Sequence, residues 1–121
     1  MEYTQLEKAL AMLIRRGDWL STIDFTRETE GLFIGYKGQA RVSELARAYP
    51  EVIETDKTAK IHRYCFKSEN TLVGLETLPD GLKTLAKEEI KRRGGSYLEE
   101  YTDYERIDDS TVRKVLKVRA V

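Results

Sequence analysis

Pro50 separates two different periodicities, and that break constrains the fold more than any other feature of the chain. Upstream of it, Val42, Leu45, Ala46 and Tyr49 recur at the three- and four-residue spacing of an amphipathic helix. The residue before a proline is pushed out of helical backbone, so the helix spans about 39–48 and stops there. Downstream, Val52 to Thr55 and Ile61 to Phe66 are β-branched or aromatic enough for two short strands, with Asp56-Lys57-Thr58-Ala59 as their turn. The helix turns a second face outward, made of Lys37, Ala40, Glu44 and Arg47 and flanked by Arg41 and Ser43.

The flanking elements follow from their end signals. Thr4 and Glu7 form a capping box ahead of a first helix whose stripe is Leu6, Leu10, Leu13 and Ile14, and Gly17 closes it. Trp19-Leu20 reads as a short strand or a staple. Ser21 or Thr22 caps a second helix running to about Thr29, and residues 31–38, GLFIGYKG, form a glycine-punctuated connection. Ser68-Glu69-Asn70 reads as a linker. A further helix spans Asp80 to Arg93, with Leu82, Leu85, Ala86 and Ile90 inward and Gly94-Gly95 after it. The tail from Ser96 fits either a helix carrying Tyr97, Tyr101 and Tyr104 or a hairpin turning at Asp108-Asp109-Ser110. The run VRKVLKVRAV favours the hairpin.

Composition narrows the function classes. Lys plus Arg and Asp plus Glu are both 21 in 121 residues, so the net charge is zero and any anionic partner must be met by a local patch. Such a patch exists: residues 57–67 hold Lys57, Lys60, Arg63 and Lys67 with no acid. Residues 99–109 are its opposite, with six acids and only Arg106. A solvated face is the ordinary reading of such a run, and a sharper one is that it opposes Arg113, Lys114, Lys117 and Arg119 across a hairpin or a dimer interface. A single cysteine, Cys65, excludes an internal disulfide and zinc-type clusters. With no signal-peptide pattern and no apolar run of membrane-spanning length, the expected location is the cytoplasm, with no membrane association.

The order helix, short strand, helix, helix, β-hairpin resembles a winged helix-turn-helix domain over roughly residues 4–67. The words ARVSELARAYPEVIET and HRYCF are its most family-like stretches. The resemblance implies an α+β fold, with three helices and a hairpin wing followed by a helix and a β-hairpin. It also implies that the chain binds double-stranded DNA in a sequence-specific way, as a small transcriptional regulator. Arg41, Ser43, Glu44 and Arg47 would then face the major groove. Lys57, Lys60, His62 and Arg63 would sit on the wing near phosphates, and Lys37 and Gln39 at the helix N-terminus, where free N–H groups favour anions. One departure stands out: the connection between the second and third helices is about eight residues, where such turns have three or four. Nothing after Ser68 matches the family pattern. The chain is accordingly read as a DNA-binding region, 1–67, and an α+β extension, 68–121, in which the tyrosines and Val112, Val115, Leu116 and Val118 serve to dimerise the protein or dock a partner.

Three other patterns in the chain compete with this resemblance. Gly35-Tyr36-Lys37-Gly38 resembles the GxxG loop with which KH domains clamp single-stranded nucleic acid. Against it, Arg41 stands where an apolar residue belongs. Pro79-Asp80 with Glu89-Ile90-Lys91 mimics the PD…ExK signature of metal-dependent nucleases, but that chemistry places the second half on a strand and here it falls in a helix. His62 and Cys65, three apart on a strand, point to opposite faces and cannot act as a base and nucleophile. No catalytic residue, metal or cofactor is expected, and a protein-interaction module on the same scaffold is the other class of function.

Overall fold

The computed structural model describes residues 3–67 and 75–121. It is α+β, with helices α1 (Gln5–Arg16), α2 (Gly38–Ala48) and α3 (Asp80–Arg92) and two antiparallel sheets. Strands β1 (Leu20–Ser21), β2 (Ile53–Asp56) and β3 (Arg63–Phe66) form the first sheet in the order β1-β3-β2; β4 (Leu98–Arg106) and β5 (Val112–Ala120) form the second.

The helix ends fall where the sequence signals put them. The Thr4 hydroxyl accepts from the Glu7 N–H and the Glu7 carboxylate accepts from the Thr4 N–H, which starts α1. Gly17 ends it at φ 66°, a left-handed value that suits glycine. Helix α2 stops short of Pro50, and the C-terminal tail folds as the hairpin, with Glu99 opposite Arg119 and Glu105 opposite Arg113.

Three expectations need correction. The second helix is a 3-10 turn, Thr22–Thr26, not a helix to Thr29. It is rich in β-branched residues, which resist helix, and the Asp24 carboxylate accepts from both the N–H and the hydroxyl of Ser21. The Thr29 hydroxyl then bonds the Asp24 carbonyl, and the chain reverses at Glu30-Gly31, both at positive φ, with Thr29 and Leu32 exchanging backbone bonds. That is the pattern of a two-residue hairpin turn. Strand β2 lies one residue later than expected. Strand β3 starts at Arg63, so Ile61 and His62 belong to the hairpin tip. There the Asp56 carboxylate accepts from the N–H and hydroxyl of Thr58 and from Arg63. The expected linker at Ser68-Glu69-Asn70 lies outside the described residues.

Helix α1 is the centre of the core. Ala9 through Ile14 are all fully buried, because α2 and the first sheet cover one side of the helix and α3 the other. The contact with α3 contains a buried charge. Glu89 is fully buried and takes two bonds from the Arg15 guanidinium, at 2.8 and 2.9 Å, one from the Tyr3 hydroxyl at 3.0 Å and one from Arg92 at 2.9 Å. Among the described residues, no helix is long and apolar enough to cross a membrane.

Candidate functional site

Helix α2 lies against the first sheet through Val42 and Leu45, which are fully buried. Its start is held very close to the 3-10 turn: a Cβ on Gly38 would lie 1.5 Å from the Phe25 carbonyl oxygen. The second glycine of the GxxG pattern is therefore accounted for by packing. With the helix pinned this way, its outer side and the β2–β3 hairpin form the two walls of a groove.

Alternation along β3 decides what enters that groove. Tyr64 and Phe66 point into the core side, while Arg63 and Cys65 take the other face. Tyr64 packs edge-on against Phe25, with ring centroids 6.3 Å apart, and its hydroxyl lies 3.3 Å from the Ser43 hydroxyl on α2. These two hydroxyls make the floor. One section of the groove, a cavity of about 290 Å³, is walled by Arg47 from α2 and by Thr55, Lys57 and His62 from the hairpin. The next section, about 400 Å³, runs towards the 3-10 turn between Gln39, Ile23, Lys60 and Ile61. Both sections share Ser43, His62 and Tyr64, so they run into one another, and among the described residues no carboxylate lines either one. A groove with cationic walls, a hydroxyl floor and two half-exposed isoleucines can receive a string of phosphates together with apolar edges.

The structure therefore brings together Gln39, Ser43, Arg47, Lys57, Lys60 and His62 of the residues singled out in the sequence. It does not bring the others. Arg63 lies on the far face of the sheet, paired with Asp56 and stacked 5.2 Å from the centre of the Trp19 ring. Those bonds, from Thr58 first and then Arg63, hold the Asp56 carboxyl well below the usual carboxylate range. Arg41 and Glu44 neutralise one another at 3.1 Å, one helical turn apart on α2. Lys37 precedes α2 with its ammonium 5.8 Å from the centre of the Tyr36 ring, and Tyr36 is 84 % exposed. Sequence reasoning missed Tyr64, although its parity with His62 on the strand was the available signal.

The nuclease-like residues do not converge. Glu89 is enclosed by Arg15, Tyr3 and Arg92, and Asp80 lies nine residues earlier on the same helix, roughly 13 Å along its axis. Among the described residues, no three His, Cys, Asp or Glu side chains gather as a metal site. Cys65 is half-buried, and burial pushes its thiol up, away from the reactive thiolate. No family model, curated protein or solved structure matches this chain, so the groove's own chemistry is what its function must be argued from.

Proposed function

We propose that the chain is a winged helix-turn-helix module that binds double-stranded DNA, with α2 in the major groove and the β2–β3 hairpin along the flanking backbone. The role is that of a small transcriptional regulator acting in two copies. The observation that carries this reading is the groove: Arg47, Lys57, Lys60 and His62 surround the Ser43 and Tyr64 hydroxyls, with no acid among the described residues that line it, in a chain whose net charge is zero. A neutral protein that sets Arg47, Lys57 and Lys60 around one groove beside a helix face carries a local patch suited to a polyanion.

Two further features support it. The order α1, β1, 3-10 turn, α2, β2, β3 follows the order of such a module, with a five-residue 3-10 turn standing where its second helix would lie. With its side chains a helix such as α2 is about 10–12 Å across, which suits a groove about 12 Å wide. Within the helix, Arg47 is the base-reading candidate because Arg41 is already tied to Glu44.

The test is salt-dependent binding of wild type and a Lys57→Ala/Lys60→Ala chain to duplex DNA. Each lost phosphate contact removes roughly one counterion, so the slope of log affinity against log salt should flatten by about two units, on every sequence alike. An unchanged slope would remove the hairpin from the interface.

A further inference from the structure

The β4–β5 ribbon carries its own surface. Its strands pair over nine positions, from Leu98 opposite Ala120 to Arg106 opposite Val112, and the register sorts the side chains by charge. One face holds every ion pair between the two strands: Glu99 with Arg119 at 3.4 Å, Asp103 with Lys117 at 3.0 Å and Glu105 with Arg113 at 3.1 Å. Arg119 also covers the Tyr101 ring at 4.6 Å. That face is the one turned to the body at the ribbon's base, where Lys87 of α3 reaches Glu99 and, with Lys91, covers the buried Tyr97 ring.

The other face is open and carries most of the ribbon's exposed apolar side chains. Tyr104, Val112, Leu116 and Val118 are 65, 56, 70 and 53 % exposed, and Ile107 at the tip is 58 % exposed. A two-stranded ribbon is marginally stable in water by itself, and an open apolar face adds a further cost.

We propose that two copies of the chain stack these apolar faces on one another about a two-fold axis through the Thr102–Leu116 pair, the ribbons pointing in opposite directions. This rests on the two-copy part of the functional reading and is independent of the DNA part. Charge argues for the arrangement. The open face carries three charges: Glu100 beside Val118, Lys114 beside Tyr104 two rows along, and Arg106 beside Val112 at the end of the ribbon. The two-fold places the row with Glu100 over the row with Lys114 of the second copy, twice, while Leu116 meets its own counterpart. Area agrees. The five apolar side chains expose on the order of 500 Å² per copy, so stacking removes on the order of 1,000 Å² in all, the lower bound for a specific interface. Because each body attaches on the charged face, the two bodies lie on the outside of the four-stranded sandwich.

Sedimentation velocity on the full chain tests this. Wild type should be a dimer at micromolar concentration. Leu116→Glu should be monomeric with an unchanged far-UV circular dichroism spectrum, since Leu116 is exposed in the single chain, and its Tm should fall only by what association contributes. Glu100→Lys should weaken association by at least about tenfold, and adding Lys114→Glu should restore it. Within one ribbon those two residues are roughly 14 Å apart along the strands, so restoration reports a contact between copies. A monomeric wild type, a dimer that survives Leu116→Glu, or a double reversal that fails to restore association would each overturn the proposal. Duplex binding by the Leu116→Glu chain, weaker than wild type but still salt-sensitive, would separate that failure from a failure of the DNA reading.

Discussion

Replacing Glu89 with Gln keeps the shape of the side chain and removes the charge at the centre of the α1–α3 contact. Glu89 is fully buried and accepts four hydrogen bonds, two of them from the Arg15 guanidinium, so the variant loses a desolvated ion pair. Removing one partner of such a pair costs about 3–5 kcal/mol when the other is left buried. Here Arg15 is 23 % exposed and Arg92 58 %, so both can turn partly to water, and the expected cost is at the lower end, about 3 kcal/mol. For a chain of this length that lowers Tm by roughly 10 °C.

The cost should also depend on pH. Burial alone would raise the Glu89 carboxyl, but the bonds from Arg15 and Tyr3 outweigh it and hold the group below the usual carboxylate range. A depressed folded-state value means that its contribution is complete above the unfolded value near 4.3 and is lost as pH falls through the lower folded one. Urea unfolding at pH 7 and at pH 3 measures both effects. The gap between wild type and variant should be about 3 kcal/mol at pH 7 and should narrow at pH 3. A gap under about 1 kcal/mol at pH 7, or one that widens in acid, would refute the reasoning.

Gly38→Ala places a Cβ against the backbone of Phe25, which has no flexible end to move aside, and should cost at least about 2 kcal/mol in denaturant unfolding; a neutral outcome would mean that α2 is not held at that point. Tyr64→Phe removes only the hydroxyl that meets Ser43. Stability should fall by less than about 1 kcal/mol while duplex affinity drops several-fold on all sequences with no change in salt slope, because no charge is lost; full affinity would take the groove floor out of the interface.

Much of this fold was legible because its boundaries are set locally. Thr4, Glu7, Gly17, Pro50 and Gly94-Gly95 act through the backbone of their own turns, and the run VRKVLKVRAV favours a strand over a helix for the tail. What was misread depended on distant partners. The run Ala9 to Ile14 shows an amphipathic stripe in isolation, yet all six residues are buried because α3 covers the second side. Glu89 reads as one charge among many in KEEIKR, and its partner Arg15 is 74 residues away. The 3-10 turn was read as a helix because Ser21 looks like a cap, whereas Glu30-Gly31 was the stronger local signal for a reversal. Of the site, the helix face and hairpin cations were legible by period. Arg63 was misplaced because strand parity, which puts it on the Trp19 face, was not applied to it.

The most direct test of the central claim is fluorescence-anisotropy titration of the full chain against duplex DNA, single-stranded DNA and RNA at low and moderate salt. The account predicts a preference for duplex that weakens steeply with salt. A preference for single strands, or no binding to any of the three at low salt, would contradict it.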